Sequence, residues 1–209
     1  SAIRGALPEA EISWAVEERS AEILRGSRFL KHLIEVDTRS LRGGKIIEEI
    51  LLDAGRQIKN LRVSDFDVAL DFQGLLKSAT VAKFARAKRR VGFSKQALRE
   101  PASRFLLTDT VEVEKNIHVI RKNLTLAEKA LNISVNGNGL EFPIFTEEKH
   151  RREAEKIIEK AGENFALLNP AGGWVTKLWH AEKFGELADR LWEEMQLFSV
   201  ITTAPNESK

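Results

Sequence analysis

Short apolar runs of strand length alternate with amphipathic stretches of helix length along this chain, and that rhythm limits its fold more than any other feature. "ISWAV" (12–16), "LIEV" (33–36), "DVALDF" (67–72) and "RRVGF" (89–93) read as strands, with helical patterns at 45–60 and 74–87 between them. In the stretch from Lys45, the residues Ile46, Ile47, Ile50, Leu51 and Ala54 form one apolar stripe, while Glu48, Glu49 and Asp53 fall on the opposite side. A helix of that kind covers one face of a parallel sheet. The spacing at 116–131 predicts a similar helix, with Ile117, Ile120, Leu124 and Ala127 inward and His118 and Lys122 sharing a face. The expected fold class is therefore α/β, built from βαβ units around parallel sheets.

The rhythm breaks at "NISVNGNGLEFPIF" (132–145), where Asn-Gly occurs twice before Pro143, so we place a domain boundary there. Domains of 1–145 and 146–209 follow. In the second, Thr146 is the expected N-cap, with Glu147 and Glu148 in the first turn, where carboxylates suit the helix dipole. Ala154, Ile157, Ile158 and Ala161 mark its buried face, and Gly162 its end. Strand 165–168, helix 180–194 and strand 197–202 complete a single βαβ unit. One such unit cannot cover both faces of its own sheet, and "SAIRGALPEA" reads as the end of a helix with no strand before it. We expect the chain to be an excerpt of a longer one.

Composition narrows the chemistry. With no cysteine, disulfides and thiolate metal sites are excluded, which fits a reducing cytoplasm. No apolar run approaches the roughly 18 residues needed to cross a bilayer as a helix. The formal net charge is only +2, yet Lys83, Arg86, Lys88, Arg89, Arg90, Lys95, Arg99 and Arg104 stand against Glu100 alone within one segment. Such a cluster suits an anionic partner, or else a solvated helix face and a basic loop.

Three strand-to-helix junctions could carry a site. "NPAGGWVTKLWH" (169–180) lies where open α/β domains hold phosphates, because unpaired amides and the helix dipole converge there. Gly172 and Gly173 allow close backbone approach, Thr176 adds a hydroxyl and Lys177 a positive charge. Without a Walker A or G-x-G-x-x-G pattern, the loop taken alone is more commonly a plain turn. "TTAPNE" (202–207) follows the next strand and should leave the same sheet edge, where Glu207 could accept ribose hydroxyls. In "DFQGLLKSA" (71–79), Gln73 and Lys77 either reach a ligand or merely decorate the helix. "LREPASRF" (98–105) puts Arg99 before a helix-entering Pro101. No second His or carboxylate stands at metal-ligand spacing near His118, and no Ser-His pair suggests nucleophilic catalysis.

Taken together, "FDVALDFQGLLKSA", "ALREPASRF", "HVIRKN", "LLNPAGGWVTKLWHAEKFGELADRL" and "TAPNE" give the chain a family likeness. It resembles the lipopolysaccharide heptosyltransferases of glycosyltransferase family 9, most closely the heptosyltransferase I branch. The resemblance implies a GT-B architecture of two Rossmann-like domains, the first binding an acceptor and the second a nucleotide-sugar. It implies an inverting, metal-independent transfer of heptose from ADP-L-glycero-D-manno-heptose to a Kdo residue of Kdo2-lipid A, with no cofactor. By the same likeness Lys177 steadies the donor diphosphate, assisted by Gly172, Gly173 and Thr176, and Glu207 holds the ribose. Arg39, Arg42, Gln73, Lys77, Arg99, His118 and Lys122 fall at or near acceptor-binding positions. The family's aspartate base sits in a Gly-Asp loop after a first strand, and its Asp-x-Gly-x-x-His donor loop lies further on. Neither motif occurs in this sequence, so the chain by itself is expected to be inactive. The implied setting is cytoplasmic and peripheral to the inner membrane, without nucleic acid. The competing expectation is a basic α/β module that binds nucleic acid or an anionic membrane surface without catalysis.

Overall fold

A computed structural model describes residues 1–36, 59–62, 64–114, 116–135, 140–170 and 178–203. The chain divides into two compact units, Ser1–Phe145 and Thr146–Lys209.

In the first unit a short helix α1 (Ala2–Ala6) leads into β1 (Ser13–Glu17) and β2 (His32–Val36), which pair in parallel with Ser13 opposite His32. A second parallel sheet has the order β3 (Val68–Asp71), β4 (Arg89–Phe93), β5 (Asp109–Val111). Helix α2 (Leu76–Phe84) joins β3 to β4, and α3 (Val119–Leu131) follows β5. The middle strand β4 is covered on both faces, so Val91, Gly92 and Phe93 are all buried, as the interior strand of a parallel sheet should be. Phe93 and Val91 form the centre of a core with Ala79, Leu98, Leu107, Val111, Leu126 and Ala130. A smaller cluster of Ile34, Val36 and Leu61 has Val81 and Ala85 packed against it. Helix α2 thus contributes Ala79 to one cluster and Val81 to the other.

The helix expected over 45–60 falls almost wholly outside the described residues. The one expected from 116 begins at Val119, because His118 is its N-cap: Nδ1 accepts from the Ile120 amide at 3.3 Å. This corrects two expectations. His118 does not share a helical face with Lys122, and Ile120 is exposed, while Leu126, Ala127 and Ala130 form the inward stripe.

The second unit contains α4 (Glu148–Ala161), β6 (Phe165–Leu168), α5 (Ala181–Met195) and β7 (Phe198–Ile201). Strands β6 and β7 pair in parallel from Phe165↔Phe198 to Leu168↔Ile201. The N-cap of α4 is Glu147 rather than Thr146, with the His150 imidazole accepting from the Glu147 amide at 3.1 Å. Gly162 ends the helix at φ 84°, a value natural only to glycine. Within α5, Phe184, Leu187, Ala188 and Leu191 are the better-covered residues, as their spacing predicts. The inward face expected for α4 is only partly covered: Ile157 and Ile158 remain exposed, and Ala161 alone among the unit's described residues is buried. One βαβ unit has too little apolar partner surface to do more.

Candidate functional site

In the second unit the site geometry starts from the parallel pairing of β6 and β7. Their C-terminal ends are tied by the Thr202 amide, which donates to the Leu168 carbonyl at 2.9 Å. The chain segments after Leu168 and after Ile201 therefore leave the same sheet edge, the edge at which α/β domains take ligands. Gly172, Gly173, Thr176, Lys177 and Glu207 lie on those segments but outside the described residues. Downstream of the first segment, Trp179 packs edge-on against Phe184 at 5.0 Å, with the Lys183 ammonium 6.0 Å from the indole, so the entry into α5 is fixed by aromatic packing.

In the first unit, the corresponding edge collects the C-terminal ends of β3 and β4. Asp71, buried at the end of β3, accepts from the Gln73 and Gly74 amides at 2.9 and 3.1 Å and so folds the turn into α2. Gly74 adopts φ +64°, and a Cβ there would lie 3.2 Å from the Leu98 side chain and 3.3 Å from the Arg99 amide. That close approach lets the Arg99 and Glu100 amides both donate to the Gly74 carbonyl, at 3.1 and 3.0 Å. Glu100 then turns its carboxylate onto the Leu76 amide at 2.6 Å, capping α2 from a distant loop. These five hydrogen bonds hold Gln73 and Arg99 on adjoining loops.

The five described acceptor candidates differ in what occupies them. The side chains of Gln73 and Arg99 are exposed and have no partner among the described residues. Lys77 forms an ion pair with Glu17 at the end of β1. Lys122 donates to the Ala97 carbonyl at 2.9 Å and sits 4.2 Å from the centre of the Phe93 ring, so its charge also braces the Ser94–Leu98 loop. His118 is a helix cap. Arg39 and Arg42 lie outside the described residues. Sequence reasoning missed Glu17 and Glu100; no local pattern announces either, because each acts on a residue far along the chain.

The basic segment resolves into two groups. Lys88 pairs with Asp67 at 2.7 Å, and that carboxylate raises the Lys88 pKa. Arg89 reaches Asp109 at 3.5 Å and the Ala130 carbonyl at 3.2 Å. The Asp109 carboxyl is held below its usual range, chiefly by the Thr108 hydroxyl donating at 2.8 Å, with the Arg89 charge adding to it. Arg90 and Arg104 bond only to carbonyls, and Lys83, Arg86, Lys95 and Arg99 have no partner among the described residues. Among the described residues no cluster of three or more metal-ligating side chains occurs, and no helix is long and apolar enough to cross a membrane.

A family model described as glycosyltransferase family 9 (heptosyltransferase) matches residues 54–208. The chain is 26% identical over 194 residues to lipopolysaccharide heptosyltransferase 1 of Pseudomonas aeruginosa, covering 90% of this chain and 51% of that protein. The enzyme of the same name from Escherichia coli is 26% identical over 129 residues, 62% of this chain and 40% of its own length. Among solved structures, E. coli heptosyltransferase WaaC with ADP-2-deoxy-2-fluoro heptose aligns with a TM-score of 0.79 at 22% identity, covering 98% of this chain and 63% of that one. A family 9 glycosyl transferase from Veillonella parvula aligns with a TM-score of 0.75 at 17% identity, over 98% of this chain and 57% of its own. These structural likenesses carry the fold, a GT-B type α/β architecture with parallel sheets. The chain spans about half the length of the Pseudomonas relative it matches.

Proposed function

We propose that this chain, which belongs to glycosyltransferase family 9, takes part in moving a heptose from a nucleotide-linked donor to the inner core of lipopolysaccharide. The observation that carries the reading is the family match over residues 54–208, which includes both the "DFQGLLKSA" and the "GGWVTKLWH" junctions. The donor is ADP-L-glycero-D-manno-heptose, and the acceptor is the Kdo residue of Kdo2-lipid A. Residues 146–209 serve the donor and 1–145 the acceptor.

In that reaction an acceptor hydroxyl gives its proton to a general base, the aspartate that the family likeness implies, and attacks the anomeric carbon from the face opposite the diphosphate. The bond to the phosphate oxygen breaks, ADP leaves, and configuration inverts. Negative charge grows on the departing diphosphate, so a fixed ammonium there lowers the barrier without a metal. Lys177 is assigned that part, with Gly172, Gly173 and Thr176 lining the same loop and Glu207 accepting from the ribose. The parallel pairing of β6 and β7 supports this assignment, since both segments leave one edge. On the acceptor side, Gln73 and Arg99 have exposed side chains without described partners, which suits them to a sugar acid. Arg39 and Arg42 are assigned by position alone, and Lys77, His118 and Lys122 act chiefly by holding the surrounding loops. The acceptor is a lipid, so the protein works in peripheral contact with the cytoplasmic face of the inner membrane.

Replacing Lys177 by alanine in the enzyme that carries these residues tests the reading. Donor affinity should fall, and turnover should drop by roughly a hundredfold or more, the scale for removing one charge-stabilising donor. Unchanged donor affinity and turnover would refute the diphosphate role.

A further inference from the structure

We propose that the ridge formed by the C-terminal ends of α2 and of the 3-10 turn Pro101–Leu106 is the surface by which this protein docks on an anionic lipid bilayer. This rests on the membrane-contact part of the function proposed above, and it names residues for that contact. The ridge is brought together by one guanidinium. Arg90 donates through Nε to the Leu106 carbonyl at 2.9 Å and through Nη1 to the Ala87 carbonyl at 3.1 Å. Phe105 and Arg86, each one residue away from those carbonyls, therefore flank Arg90 at the surface.

Phe105 is 88% exposed, more than any other large apolar residue described. Nothing in the core needs it: its neighbours Ser103 and Leu107 supply the buried contacts of that turn. Phe84, at the end of α2, is 43% exposed. Around these two rings the charge is lopsided. Lys83 and Arg86 have no partner among the described residues, and the side-chain hydrogen bonds of Arg90 and Arg104 go to uncharged carbonyls, although the Arg104 charge also acts on Asp109. Of the carboxylates near this end, Asp67 and Asp109 pair with Lys88 and Arg89, and Asp65 also acts on Lys88. An exposed aromatic ring amid long cationic side chains matches a bilayer interface, where the ring enters the acyl boundary and the cations meet phosphates. Nucleic acid would use the same charge, but one protruding ring with no aromatic partner is not a base-stacking platform.

The test is cosedimentation of the 209-residue chain with vesicles of phosphatidylglycerol and phosphatidylethanolamine, against vesicles of phosphatidylcholine alone. Binding should be selective for the anionic vesicles and weaken as salt rises. Phe105→Ser should reduce partition by roughly tenfold, the scale of burying one aromatic side chain. Lys83→Gln and Arg86→Asn should each reduce it by about fivefold; asparagine suits the φ of 56° at position 86. Lys156→Gln with Lys160→Gln, on α4, removes the same charge elsewhere and should leave partition nearly unchanged. The proposal is overturned if the ridge variants bind like the parent, or if the α4 pair weakens binding as much as Lys83→Gln combined with Arg86→Asn. It is also overturned if Phe105→Ser instead breaks up a dimer, or if single-stranded RNA binds through Phe105 while vesicles do not. None of these readouts depends on sugar transfer, so losing the docking surface would leave the donor assignment standing.

Discussion

Gly74 and Asp71 show how single residues set the candidate site. Gly74 sits at φ +64°, and a Cβ there would lie 3.3 Å from the Leu98 and Arg99 backbone, so a methyl group is both strained and crowded. Gly74→Ala should destabilise the first unit by about 1–3 kcal/mol, read as a lower urea midpoint, and should displace Arg99. Asp109 gives a pH dependence. Its carboxyl is held down by the Thr108 hydroxyl and Arg89, so its folded pKa lies below the unfolded one. The stability it contributes is present above the ordinary carboxylate pKa and is lost as pH falls through the depressed value. Asp109→Asn should therefore flatten the acid limb of stability against pH, and an unaltered acid limb would contradict the assignment. Of these residues, Gly74 and Asp71 could be picked out as junction residues from "DFQG", because turn chemistry is local. The part played by Glu100 could not, since its carboxylate caps a helix twenty-four residues earlier in the chain.

Elements were legible where a pattern is long and bounded. "RRVGF" is β4 residue for residue, and the strand expected at 165–168 is β6. Strand β5, only "DTV", has no alternation to detect; it exists because β4 offers it a partner in register from Val91↔Asp109. Helix starts were misread by one to three residues wherever a side chain captured an amide first, as His118 does at α3 and His150 does at α4. Packing of the segment that leads into β5 explains Gly92, since a Cβ there would meet the Leu107 side chain at 2.7 Å. Gly92→Ala should cost about 1–3 kcal/mol through overpacking, measurable as a lower melting temperature. Glu100→Gln removes the charge but keeps an acceptor for the Leu76 amide. It should weaken the tie between the Arg99 loop and α2 by less than about 1 kcal/mol, whereas Glu100→Ala should cost more. Equal effects would mean that the carboxylate does not serve as the cap.

For the whole molecule, alternating patterns gave the α/β class, but composition could not say which anion the chain serves. The net basic segment looked like one binding surface, and folding divides it between carbonyl- or carboxylate-bonded cations and unpaired ones. The proposed donor residues rest on family likeness, and the two parallel strands whose following segments leave one edge support the proposal. The most direct measurement is calorimetric titration of ADP-heptose into the protein and into its Lys177→Ala variant. We predict saturable binding that the variant weakens by roughly tenfold or more, the effect of losing a charge-assisted contact to phosphate. Equal binding by both proteins, or no saturable binding by either, would contradict the assignment of this chain's second unit to the nucleotide-sugar.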